Sequence, residues 1–179
     1  EPDHGSDATH METRAVRETR DGVDGWRIDG RKMWITGMHV ATHCATFART
    51  SGDAGDARGI TCFLVPNPTP GMTVDEYMWT FNMPTDHPRM TFDGVWVPDS
   101  AILGALGGGL ALAQSFVHQN RIRQAASSLG AATFCIEESV RYARHRRPFG
   151  VELARNQAIQ FPLVELATQA EALRLLVYK

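Results

Sequence analysis

With 179 residues, 43% of them hydrophobic, the chain can bury roughly two thirds of its unfolded surface, enough for one sizeable core or two small ones. Its 18 basic and 20 acidic residues are mixed along the sequence to a formal charge of -2, so no basic stripe is offered to nucleic acid. No run approaches the ~20 apolar residues of a membrane span, and Cys44, Cys62 and Cys135 form no close pair, which fits a reducing compartment and argues against a disulfide scaffold.

The chain opens EPDHGSD without Met and stops at LLVYK in mid-pattern, which reads as the middle of something longer. From Asp24 to about Pro98 the pattern is one of strands and turns. GWRIDG ends in Asp29-Gly30, a hairpin signal, and KMWIT, ATFART, GITCFLVP and MTFDGVWVP follow, separated by SGDAGDARG and by the turn-rich NPTPGM. This spacing predicts a small antiparallel barrel or sandwich and leaves no room for βαβ crossovers. A strand-to-helix GxGxxG is missing too. Gly107-Gly108-Gly109 lacks the preceding strand and following Lys of a phosphate loop and reads as a flexible lead-in to a helix.

Helical periodicity starts at Leu110. The stretch to Arg147 contains no Pro, and Phe116, Leu129, Ile136 and Val140 recur at the spacing of buried helical faces. Ala125, Ala126, Gly130, Ala131 and Ala132 make a narrow waist that another helix can approach closely. Pro148 and Gly150 end this element, and Asn156 to Lys179 resumes helical spacing, with Pro162 marking a kink or a nearby start. Two antiparallel helices leave apolar faces uncovered. Further helices are expected to meet them.

Several residues are candidates for chemistry. In GRKMWITG, a strand reading puts Trp34 and Thr36 on one side and Ile35 on the other, so an indole and a hydroxyl face one neighbour. That neighbour is a planar cofactor or simply a sheet core. His39, His43 and Cys44, or His4 and His10, lack the second close pair that a zinc site wants, and no metal is expected. Arg141, Arg144, Arg146 and Arg147 suit the negative end of a helix dipole or an anion site. Arg121, in a helix of small and apolar residues, needs a carboxylate, a carbonyl or solvent. Ser6 and Asp7 beside His4 or His10 lack the GxSxG frame of a hydrolase nucleophile.

EPDHGSD, GRKMWITG, FART, FLVP with TPGM, MTFDGVWVPDSAILG, NRIRQAA, RRPFG and NQAI, in that order, resemble the middle blocks of the acyl-CoA dehydrogenase flavoprotein family over nearly the whole chain. The resemblance implies an α+β fragment. Residues 1–103 would be the middle β-barrel-like domain, and residues 104–179 would begin the C-terminal bundle as two long antiparallel helices forming half of its four. It implies FAD, an acyl-CoA substrate, a dimeric or tetrameric homo-oligomer and an electron-transfer flavoprotein as acceptor. A cytoplasmic location is expected, or the mitochondrial matrix in a eukaryote.

By the same resemblance Trp34 backs the isoalloxazine and Thr36 places a hydroxyl near flavin N5. Ile35 lies in the adjacent core or lends backbone contacts to the ring edge. Ser6 meets the acyl-CoA thioester or its pantetheine arm, and Arg121 belongs to the substrate side. Arg146, Phe149 and Gln157 reach the FAD of a neighbouring subunit. The implied chemistry removes the pro-R α-proton with a carboxylate while the β-hydride passes to N5; an oxidase, or a degenerate assembly module, is the alternative. No catalytic base is present in these residues. Most members carry it as a Glu downstream of the position of Lys179, and some immediately before the Arg of the NRIRQAA block, where this chain has Asn120. Two departures stand out: Gly37-Met38 replaces the usual Asn-Gly, and HPRMTF replaces a Ser-Asp-Thr-type segment, overlapping TFNMPTDHPRM, Thr80 to Met90, which lies near the region that flanks the CoA path in the family.

Overall fold

The computed structural model describes residues 1–81 and 86–179. The chain divides into two compact units, Glu1–Gln114 and Ser115–Lys179. The first is built on strands β1 (Arg14–Arg20), β2 (Val23–Lys32), β3 (His43–Arg49), β4 (Ile60–Pro66), β5 (Met72–Tyr77), β6 (Pro88–Pro98) and β7 (Ile102–Leu103). They form one sheet in the order β5-β6-β2-β1-β3-β4-β7. Helices α1 (Gly109–His145) and α2 (Gln157–Tyr178) complete the α+β architecture that the sequence predicts. The sheet is mixed rather than wholly antiparallel, because β1 meets β3 in parallel at Arg14 and Arg49.

Two Asp-Gly dipeptides divide the work of shaping β1 and β2. Asp21 and Gly22, at φ of 52° and 78°, make the two-residue turn that joins Arg20 to Val23, the positive-φ geometry that matches strand twist. Asp29-Gly30, expected as the hairpin, instead lies inside a continuous β2 where its register with β6 shifts. There the Gly94 N–H donates to Asp29 Oδ1 at 2.7 Å, closing the bulge. Gly30 has no room for a β-carbon, which would sit 2.4 Å from Thr13 Oγ1.

One face of the sheet supplies the core: Ile28, Phe63, Val65, Met90, Phe92, Val95 and Val97 are almost wholly buried. Trp26 packs its ring 5.8 Å from that of Phe63 and donates its indole N–H to Asp99 Oδ1 at 2.7 Å, so the ring is buried without orphaning its polar end. The Gly107–Gly109 run is not slack. A parallel bridge joins Gly108 to Ile60, the Gly107 N–H donates to Thr61 Oγ1 at 2.9 Å, and a β-carbon on Gly109 would meet Ile60 O at 2.8 Å. The start of α1 therefore lies directly on β4, a closeness that only glycine permits.

In the second unit α1 ends with Arg144 and His145 beside the negative end of its dipole. Pro148, Phe149 and Gly150 reverse the chain, and Asn156 caps α2 by accepting the Ala158 N–H on Oδ1 at 2.9 Å. Pro162 falls in the second turn of α2. Tyr142 and Ala143 flank a cleft with Ala158 and Ile159, whereas Leu129 and Thr133 flank one with Arg174 and Val177, so the helices run antiparallel. Of the residues expected on buried helical faces only Leu129 is buried; Phe116 is 65% exposed and Val140 is also open. Of the small-residue waist, Ala126 and Gly130 line the cleft shared with Arg174 and Val177 of α2, and nothing lies within 4 Å of a β-carbon at Gly130.

Candidate functional site

The expectation of a strand through Trp34 is not met. β2 stops at Lys32, and Trp34 adopts φ 61°, a left-handed conformation that costs about 1 kcal/mol or more for a residue with a β-carbon. A turn over Thr36–Val40 follows, so alternation does not govern residues 34–36. The segment is held from outside, where the Ile35 N–H donates to Pro88 O at 3.2 Å and the Gly37 N–H to Asp86 O at 2.9 Å, and closed on itself by the Thr36 N–H donating to Trp34 O at 3.1 Å. Asn67 braces the far side, donating from Nδ2 to Met38 O at 3.2 Å and Ala41 O at 2.8 Å. Met38 and Ile35 turn into the core; the Trp34 indole stays 50% exposed and Thr36 is exposed. An aromatic face and a hydroxyl are thus presented together, by a turn rather than by one side of a strand.

Thr36 Oγ1 lies 2.9 Å from His87 Nδ1. Neither His87 nor Asp86 was predicted as a site residue, although the unusual DHP triplet was the available signal. Residues 82–85, within the departing segment Thr80 to Met90, fall outside the described residues.

Ser6 lies exposed on the amino-terminal segment, in the turn preceding Asp7. The Asp7 carboxylate accepts the Thr9 hydroxyl at 2.5 Å, the Thr9 N–H at 3.0 Å and the His10 ring at 2.6 Å, and the Thr9 hydroxyl foremost holds its pKa down. Two buried cations secure this segment. Arg49 donates from Nη2 to Thr9 O at 2.5 Å and from Nη1 to Asp56 O at 3.2 Å. Lys32 Nζ sits 2.6 Å from Glu1 Oε1, and that carboxylate also accepts the N–H groups of Glu12 and Thr13. Burial alone would push the Glu1 carboxyl up, but Lys32 and these hydrogen bonds outweigh it and hold the pKa at about 2. Burial still lowers the Lys32 pKa despite its partner.

The second cluster belongs to the helical unit. Arg146 is fixed by its backbone, with its N–H on Tyr142 O and its carbonyl accepting from Leu153, each at 2.8 Å. Its guanidinium is exposed and meets no acceptor among the described residues. Arg141 pairs with Glu138, and Arg147 with Glu152 at 2.7 Å. Phe149, at φ 55°, is wholly exposed. Gln157 is exposed at the first residue of α2. Arg146, Phe149 and Gln157 are thus exposed on or beside the turn between α1 and α2, and of these the guanidinium is the group suited to a phosphate. Arg121 lies exposed on α1. Among the described residues no three His, Cys, Asp or Glu side chains gather as metal ligands, and no helix is long and apolar enough to cross a membrane.

Residues 1–95 match the family described as acyl-CoA dehydrogenase, middle domain, and residues 107–179 match acyl-CoA dehydrogenase, C-terminal domain. The chain belongs to the acyl-CoA dehydrogenase family. It is 37% identical to an acyl-CoA dehydrogenase of Bacillus subtilis (strain 168) over 99% of its own length and 46% of that relative. Butyryl-CoA dehydrogenase from Megasphaera elsdenii superimposes with a TM-score of 0.90 at 33% identity, over 99% of this chain and 46% of the other. The FAD complex of PigA gives a TM-score of 0.89 at 26% identity, over 99% and 45%. The chain therefore spans less than half the length of each of these three proteins. The Trp34 indole and Thr36 hydroxyl in the first unit, and the Arg146 guanidinium in the second, are each exposed.

Proposed function

We propose that this protein is an FAD-dependent acyl-CoA dehydrogenase that oxidises an acyl-CoA thioester to its α,β-unsaturated product and passes the electrons to an electron-transfer flavoprotein. The observation that carries the reading is the left-handed Trp34, held by Pro88 and Asp86 so that its indole and the Thr36 hydroxyl stay open to a planar ligand. Such strain persists where surrounding contacts over-determine it, and it concentrates at ligand sites.

Residues 1–103 form the flavin- and acyl-CoA-contacting module in this reading, and residues 104–179 begin the helical bundle. When bound, the flavin supplies the hydride acceptor. Trp34 excludes water from one side of the ring, Ile35 fixes the turn through its N–H and its partly buried side chain, and Thr36 offers a hydrogen bond to the ring edge. Ser6 and Arg121 position the thioester and the CoA moiety. Arg146 faces pyrophosphate charge of a cofactor bound to a neighbouring copy, aided by Phe149 and Gln157, which makes the active assembly a homo-oligomer.

Asn120 stands immediately before Arg121, and an amide cannot take up the α-proton. In this reading the base is a carboxylate outside residues 1–179. The full-length protein should purify yellow and bleach on anaerobic addition of an acyl-CoA. A protein that takes up no FAD, or that remains oxidised with every acyl-CoA tried, refutes the reading.

A further inference from the structure

Three consecutive residues grip the turn after Trp34. Pro88 O accepts the Ile35 N–H, His87 Nδ1 meets Thr36 Oγ1 at 2.9 Å, and Asp86 takes the Gly37 N–H on its carbonyl at 2.9 Å and on Oδ1 at 3.2 Å. Peptide N–H groups only donate, and carbonyl and carboxylate oxygens only accept, so two of the three grips have a fixed polarity. The hydroxyl–imidazole contact does not: either atom can supply the proton.

We propose that His87 is a positioning residue that sets the direction of the Thr36 hydrogen bond, so that the proton on His87 Nδ1 decides what Thr36 presents to the flavin. The inference rests on the FAD reading above. With Nδ1 bare, the Thr36 hydroxyl donates to it and only its lone pairs face outward. With Nδ1 protonated, the imidazole donates to Oγ1, and the hydroxyl proton is released toward an acceptor in front of it. Oxidised flavin N5 is such an acceptor, and the N–H of the reduced ring is a donor. The two states of His87 therefore suit different flavin states. A neutral imidazole carries its proton on either ring nitrogen, and it is the Nε2–H tautomer that gains a proton at Nδ1 on becoming charged.

The titratable and charged groups around His87 among the described residues are few. The Asp86 carboxylate accepts from Gly37 and lies 3.6 Å from His39 Nδ1. On β5, Tyr77 is registered opposite Pro88, and Glu76 pairs with Arg89. None of these is bonded to the His87 ring, whose one hydrogen-bond partner among the described residues is Thr36. A backbone role alone is already served by the His87 carbonyl, which accepts the Met78 N–H at 3.0 Å.

The test is the visible flavin spectrum of the oxidised full-length holoprotein, followed between about pH 5 and 8, where histidine titrates. A one-proton step is expected in the wild type. His87→Asn keeps a hydrogen-bonding atom near the position of Nδ1 but cannot titrate, and should abolish the step. Thr36→Val, which keeps the imidazole, should abolish it too; His39→Gln should retain it. In the FAD-stripped protein, Thr36→Val should shift the His87 ring nitrogen-15 signal. A pH-flat wild-type spectrum, a step surviving either of the first two variants, or an unmoved His87 signal overturns the assignment while FAD binding stands. A protein that binds no FAD overturns both readings and is recognised by being colourless.

Discussion

Lys32 closes β2 two residues before Trp34, and its buried ammonium holds Glu1, five residues before Ser6. One ion pair thus ties the segment carrying the proposed substrate contact to the strand leading into the proposed flavin wall. Removing the cation strands a carboxylate in the interior, which costs more than the pair itself contributes. Lys32→Met should destabilise the protein by about 3 kcal/mol, the lower end for a broken buried pair, and Lys32→Met with Glu1→Gln should recover most of it in denaturant midpoints. The pair also has a pH signature. The Glu1 carboxyl titrates at about 2 in the fold against an ordinary 4.5, so its stabilisation is complete above 4.5 and is lost as pH falls from there to about 2. Glu1→Gln should flatten the wild type's stability loss in that window. Equal slopes for the two proteins would discount the pair.

At the level of elements, legibility followed local sequence signals. α1 and α2 were readable because a Pro-free periodic run ends at Pro148-Phe149-Gly150 and restarts after a capping Asn156. β1 went unread: RAVRETR has one buried side chain, Ala15, so no alternation marks it. β5 is a sheet edge with none, and its apolar residues, Met72, Val74 and Tyr77, are too few and too open to mark a buried face. Trp34 was misplaced on a strand because its left-handed backbone is imposed by Pro88 and Asp86, some fifty residues away, and local pattern cannot register such a partner. The arginine run was ambiguous for a related reason. Only the fold separates Arg141, spent on Glu138, from Arg146, which has no acceptor among the described residues. A charged hydrogen bond contributes about 1.5–3 kcal/mol, so Arg146→Ala should weaken FAD retention by roughly ten- to hundredfold. Arg141→Ala should leave it near wild type. Equal retention in the two variants, measured by flavin released on gel filtration, would remove Arg146 from the cofactor site.

Over the whole molecule, the two units bury their apolar residues very unequally. The sheet unit packs a closed set of aliphatic and aromatic side chains, whereas α2 leaves Phe161, Val164, Leu175 and Leu176 between 62% and 72% exposed. A solvated helix does not ordinarily carry that much contiguous apolar surface. In the proposed reading, where residues 104–179 begin a helical bundle, the occupant of this face is another helix of that bundle. Leu176 distinguishes the possibilities. On a solvated face Leu176→Asp changes stability by no more than about 0.5 kcal/mol. Under a covering helix it forfeits about 1.5–3 kcal/mol of side-chain burial and buries a carboxylate without a partner, so a loss of several kcal/mol is expected in the full-length protein. FAD retention should fall with it, since Arg146, Phe149 and Gln157 are carried by the same two-helix unit. A full-length Leu176→Asp protein with an unchanged denaturation midpoint would mean that this face of α2 stays in water and that the bundle is completed elsewhere.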